Sequence, residues 1–349
     1  MVDLDTLIDL VVKEGASDLH LSESRVPYIR VAGTLVPLSK YLALTKQEAE
    51  KILSLVLNED RKVLFDKRQS ADFAYVHKGE RFRSHAFMDS QKICLAFRHI
   101  PKKIPTLAEL NLPETLENFA RMKAGFFLVV GPTGNGKSTT LASLVEIINN
   151  DRLENIITVE DPIEYLFTQN KSIIHQREVG LDTPSFARGL HDSFRADVNV
   201  IMVGEMRDPE TMATAVSAAE TGHLVFSTLH TNNAAQSVDR ILDSFPPNQQ
   251  NQIRLQLASS LSGIFSQRLV PRISGGLVPC FELLINNAAV SNLIRDKRTH
   301  EIGTVIETSS QEGMIDFNRC LVGRVQSGDI TVENAYLYSN NPRTLEKML

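Results

Sequence analysis

The chain has 349 residues, more than one hydrophobic core normally serves, so roughly two or three domains are expected. Its composition, 42% hydrophobic and 23% charged, is that of a globular protein and not of a disordered one. A net charge of -5 and a pI of about 6.0 argue against nucleic acid as a main partner, because duplex binders carry a basic stripe.

The N-terminus, MVDLDTLIDL, places acids where a secretory signal would place Lys or Arg. Leu4, Leu7, Ile8 and Val11 recur at helical spacing, with Gly15 as a stop. Asp18–Leu21 and Tyr28–Val31 alternate like strands, with a turn at Gly33. Thr45 is placed to cap a helix running through Ile52 and Val56 toward Asn58. Ala71–Val76, Arg81–Phe87 and Ile93–Phe97 read as further strands. Residues 1–100 are therefore expected to form a small α+β domain with an antiparallel sheet. Residues 101–118 contain Pro101, Pro105 and Pro113 and read as a stiff linker.

From 119 to 287 the pattern changes. Phe126–Val130, Asn155–Val159, Ser172–His175, Val200–Val203 and Leu224–Thr228 are apolar runs without polar alternation, separated by helical stretches. That is the signature of a parallel sheet covered on both faces, hence an α/β nucleotide-binding domain. These runs are far shorter than the ~20 residues that cross a membrane, so no insertion is expected. Residues 288–349 read as mostly helical. Cys94, Cys280 and Cys320 are widely spaced, give no zinc pattern and suit a reducing compartment, so the chain is read as cytoplasmic.

Gly131-Pro132-Thr133-Gly134-Asn135-Gly136-Lys137-Ser138 fits G-x-x-x-x-G-K-[ST] between an apolar strand and a helical run. The glycines let backbone amides approach phosphate oxygens at a helix N-terminus. Lys137 supplies a cation to the β- and γ-phosphates, and Ser138 a hydroxyl for Mg²⁺. Val200–Val203 leads to a single acid, Glu205, the expected second metal-side group, since Gly204 stands where many such enzymes carry another acid. A general base must then come from Glu160, Asp161 or Glu164, on the turn after a strand, and Glu164 is the chosen candidate. Leu224–Thr228 ends in Leu229-His230-Thr231-Asn232, where a γ-phosphate sensor would sit. His230 is favoured over His223 for that role. Asp208 and Pro209 mark the start of the preceding helix, and Gly222 its end.

At these residues the sequence resembles the type II/IV secretion ATPases, and most closely their PilT branch of pilus retraction ATPases. The phosphate loop, Gly131 to Thr140 (with Thr139 and Thr140), matches the family's Walker A motif. Ile157–Tyr165 matches its Asp box, Val203–Asp208 its Walker B motif and Thr221–Asn232 its His box. Gly15–Leu21 and Gln176–Gly180 fit as well. The resemblance implies a PAS-like N-terminal domain, a RecA-like P-loop ATPase domain and a homohexameric ring. It also implies ATP and Mg²⁺ as ligands, and N-terminal arginines that close over the phosphates, here Arg83 and Arg98 beside Arg81. An inner-membrane pilus platform protein is the implied docking partner, with a paralogous ATPase as a second. Ala289–Asp296 is similar to the branch's retraction motif. A pilus assembly or type II secretion ATPase, or a non-catalytic regulatory ring partner, are the competing readings. Three departures stand out: Asn135 replaces a usual Ser, Ser291 a usual Arg, and Phe194–Asn199 lacks the branch's Pro and final acid.

Overall fold

The computed structural model describes residues 3–31 and 33–349; Met1, Val2 and Ala32 lie outside the described residues. The chain divides into two compact units, Met1–Lys103 and Ile104–Leu349.

In the first unit the helix Leu4–Lys13 begins where the Asp3 carboxylate accepts from Thr6 N, and it buries Leu4, Leu7, Ile8 and Val11. Six strands follow: β1 (Asp18–Ser22), β2 (Tyr28–Val31), β3 (Thr34–Pro37), β4 (Ser70–His77), β5 (Glu80–Asp89) and β6 (Lys92–Ile100). They pair antiparallel throughout, in the order β3-β2-β1-β6-β5-β4. Thr45 and Glu48 form a reciprocal capping box on the helix Lys46–Val56. That helix stops two residues before Asn58, whose side chain caps a further helix, Glu59–Arg68.

The second unit holds seven strands: β7 (Gly125–Val130), β8 (Asn155–Glu160), β9 (Ile173–Glu178), β10 (Val200–Val203), β11 (Leu224–Leu229), β12 (Leu261–Pro271) and β13 (Leu277–Ile285). Their order is β13-β12-β7-β11-β10-β8-β9, and only the edge strand β13 runs antiparallel to its neighbour. This is a mixed α/β fold on a parallel sheet. Along β7, Phe126, Leu128 and Val130 enter one core while Phe127 and Val129 enter the core on the other face. Burial on both faces is why the strand is apolar at every position.

The stretch 101–118, expected as a linker, contributes buried Leu107, Leu112 and Leu116 to a core of the second unit. Ser143 Oγ also donates to Pro105 O at 2.7 Å. Pro113 is extended, at φ -72° and ψ 139°, while the leucines dock. The β12–β13 hairpin was not foreseen from the sequence, because β12 interrupts its apolar residues with Ser262, Ser266, Gln267 and Arg268.

The register brings the carboxyl ends of four strands to one edge. Val130 on β7 faces Leu229 on β11, and Val203 on β10 faces both Ser227 on β11 and Val159 on β8. Ligands of open α/β sheets bind outside such carboxyl ends.

Candidate functional site

The loop after β7 turns into the helix Lys137–Asp151 through Gly131, Gly134 and Gly136, all at positive φ. Gly136 takes the N-cap place at φ 76°, a conformation that strains any residue with a Cβ. At Gly131 a Cβ would stand 2.2 Å from Gln267 O, so the loop backbone lies directly against β12. Lys137 is buried, and its Nζ donates to Gly131 O at 2.8 Å and Pro132 O at 3.0 Å. Burial lowers its pKa, while Glu205 and Glu164 act in the opposite direction. Both carboxylates are therefore within electrostatic reach of the ammonium.

Glu205 follows β10 and is mostly covered. Arg207 donates to its Oε1, and His230 Nε2 lies 3.4 Å from its Oε2. The other ring nitrogen of His230, Nδ1, lies 3.3 Å from Thr133 Oγ1. His230 thus bridges the phosphate loop and Glu205, whereas His223 Nδ1 meets Ala218 O at 3.0 Å, at the opposite end of β11. The loop bearing Glu205 is pinned from β11, where Ser227 Oγ donates to Val203 O at 2.9 Å and Thr228 Oγ1 to Gly204 O at 2.7 Å.

The three acids after β8 have different surroundings. Glu160 is buried; its Oε1 accepts from Thr158 Oγ1 at 2.7 Å and Gln176 Nε2 at 3.3 Å. Its Oε2 accepts from Glu164 N at 3.4 Å. Glu160 is thereby a platform under the turn, and Glu164 is exposed above it. The Asp161–Pro162 peptide is cis. Tyr165, from the same turn, meets Thr139 Oγ1 through its hydroxyl at 2.9 Å, tying the turn to the phosphate-loop helix.

Burial pushes the Glu160 carboxyl up to about 7, against the pull of its hydrogen-bond donors. The folded chain then holds a proton that the unfolded chain, with an ordinary value of 4.5, releases. Glu160's contribution to stability is full below pH 4.5 and declines as pH rises toward 7. Glu160→Gln carries no such titration. The difference in thermal midpoint, variant minus wild type, is expected to grow from pH 5 to pH 8. Parallel melting curves across that range would refute this by showing a constant difference.

The predicted arginines lie in the first unit. Arg83 on β5 and Arg98 on β6 are cross-strand partners and both are exposed. Arg98 in turn faces Asp18 on β1, and Asp18 faces Arg30 on β2. Arg98 Nε donates to Asp18 Oδ1 at 2.8 Å, and Arg30 Nε lies 3.6 Å from Oδ2. Burial raises the Asp18 carboxyl, but hydrogen bonds from Ser17 and Arg98 more than offset it and hold it low. The sequence marked Asp18 as the start of a strand and as part of a short matching segment, not as a partner of Arg98, which lies 80 residues away.

Two more residues were missed. Gln267 sits against the phosphate loop. Arg268 donates to Tyr338 O at 2.9 Å and Asn340 Oδ1 at 2.6 Å, with its guanidinium 5.0 Å over the Phe317 ring. Both lie on the unforeseen strand β12, which carries no motif.

Residues 2–280 match the type II/IV secretion system protein family. The chain belongs to that family. Among its relatives, a type IV pilus retraction ATPase, PilT, of Pseudomonas aeruginosa is 39% identical over 335 residues, spanning 96% of this chain and 97% of the relative. A type IV pilus ATPase, PilU, of the same organism is 38% identical, spanning 100% of this chain and 91% of the relative. A crystal structure of the pilus retraction motor PilT with bound ADP matches the fold at a TM-score of 0.94 and 42% identity, covering all of both chains. As a member of this family the chain is an ATPase, and its phosphate loop lies at the carboxyl edge of β7. No helix among the described residues is long and apolar enough to cross a membrane.

Proposed function

We propose that this chain is a cytoplasmic, homohexameric motor that hydrolyses MgATP to power type IV pilus retraction. The observation that carries the reading is the convergence of four motifs at one sheet edge. The phosphate loop, Glu164's turn, Glu205 and His230 follow β7, β8, β10 and β11, whose ends are in register. A relative matching nearly the whole chain bears the name of a retraction ATPase. In this reading the first unit is PAS-like and the second RecA-like, with 119–287 the ATPase core and 288–349 a helical appendage. The ring docks on an inner-membrane pilus platform protein, and a paralogous ATPase is a second partner.

Hard oxygen donors suit Mg²⁺, and the Ser138 hydroxyl and Glu205 carboxylate flank Lys137 in that capacity. The ion would supply charge neutralisation at the terminal phosphates. Lys137 leaves its carbonyl partners for the β- and γ-phosphates, and the loop amides hold the phosphate chain. Glu164, exposed on a turn fixed from below by Glu160, orients and deprotonates the attacking water. His230, touching both the loop and Glu205, reads whether the γ-phosphate is present. Arg83 and Arg98 close on ATP from the N-terminal domain, with Asp18 holding the Arg98 guanidinium.

Replacing both arginines by Lys keeps the charge but removes the planar fork that matches phosphate oxygens. The Arg83→Lys/Arg98→Lys double variant is expected to lose about 10²-fold in phosphate release. That is less than the ~10³–10⁵ of a lone arginine finger, because charge remains. ADP affinity of the full chain should be unchanged. Wild-type turnover in the double variant would reduce these strands to a structural edge. In cells bearing type IV pili, loss of the gene should leave excess surface pili and no twitching; normal twitching would refute the retraction assignment.

A further inference from the structure

One side chain beside the phosphate loop belongs to none of the motifs that mark the family. Gln267, on β12, is only 3% exposed. Its Nε2 donates to Asn135 O at 2.8 Å, and its Oε1 accepts from Thr140 Oγ1 at 2.7 Å. Both ends of the amide are thus committed, one to the loop and one to the first turn of the helix after it. The strand grips the loop a second time, where Leu269 N donates to Asn135 Oδ1 at 2.7 Å. Asn135 Nδ2 passes that grip on to Pro132 O at 3.2 Å and Thr133 O at 3.3 Å.

A trans peptide points its C=O and the following N–H in opposite directions. Holding Asn135 O toward Gln267 therefore turns Gly136 N–H away from β12. Glycine-rich backbone is soft, with Gly134 and Gly136 both free to leave their positive φ. A loop not held in this shape would have to be ordered by each incoming phosphate, at a cost in affinity.

We propose that Gln267 is a positioning residue for nucleotide: by fixing the Asn135 carbonyl and the Thr140 hydroxyl, it presets the phosphate-facing amides of the loop. This rests on the reading that the loop binds nucleotide phosphates.

The test uses the full chain and direct titration of ADP with Mg²⁺, at a temperature where every variant is folded by circular dichroism. Gln267→Met preserves length and removes both hydrogen bonds. It is expected to bind ADP about tenfold more weakly, the factor that one net buried hydrogen bond carries. Gln267→Asn keeps the amide but falls one methylene short, and a smaller loss is expected. A purely structural role would lower the thermal midpoint and leave ADP affinity below the transition unchanged. Lys137→Ala serves as the arm for the parent reading: wild-type ADP binding there would overturn nucleotide binding by this loop altogether. If Lys137→Ala loses ADP while Gln267→Met and Gln267→Asn bind it with wild-type affinity, the positioning role alone falls. Should Gln267→Met not fold, Gln267→Asn decides, with weaker binding supporting the role and unchanged binding overturning it.

Discussion

Lys137→Ala is expected to abolish ATP hydrolysis and to weaken nucleotide binding by about 10²-fold. Charge-assisted hydrogen bonds contribute roughly 1.5–3 kcal/mol each, and this ammonium is placed to make two or more to phosphate oxygens. Its present partners, the carbonyls of Gly131 and Pro132, keep it folded against the loop that would receive the phosphates. Its burial makes it a desolvated cation, and an anion arriving there restores what burial removes. Backbone amides alone cannot neutralise the terminal phosphates as charge develops in transfer. The variant also removes the cation on which the charges of Glu164 and Glu205 act, so repulsion toward the phosphates grows. Phosphate release and equilibrium ADP titration, run on the same preparation, are the measurements. Normal turnover would remove the phosphate-loop assignment.

Glu164→Gln should separate chemistry from binding. Turnover is expected to fall by about 10²-fold or more, the usual scale for a positioned general base, while ATP binding and ring assembly persist. The amide is the same size as the carboxylate, and Glu164 is exposed, so no core packing changes. The turn itself is held by other groups: Glu164 N reaches Glu160, Tyr165 reaches Thr139, and Gln176 Nε2 donates to Tyr165 O at 2.7 Å. Glu160 is a poor substitute as base. It is buried away from solvent, and its oxygens already accept from Thr158, Gln176 and the Glu164 amide. Normal turnover in Glu164→Gln together with a dead Glu205→Gln would reverse the division of labour between these two acids.

Much of this was legible in the chain because its causes are local. Helix starts at Thr45 and Asp208 are set by side chains that accept an amide three residues on, so the signal and its effect lie within one turn. The phosphate loop is equally local: its glycines, lysine and hydroxyl act on one ligand within eight residues. Four central strands, β7, β8, β10 and β11, were readable because burial on both faces demands uninterrupted apolar residues. Which residues meet across long separations was decided only by the tertiary structure. Asp18 reaches Arg98 because β1 and β6 pair, and His230 reaches Glu205 because β11 and β10 do. The β12–β13 hairpin escaped notice for the converse reason. Its Gln267 and Arg268 are polar where a buried strand should be apolar, and they are tolerated only because the phosphate loop and the C-terminal helices supply their hydrogen-bond partners. A buried polar group is intelligible only with its partner in place. That partner is fixed by strand order and register, which no local stretch of sequence encodes.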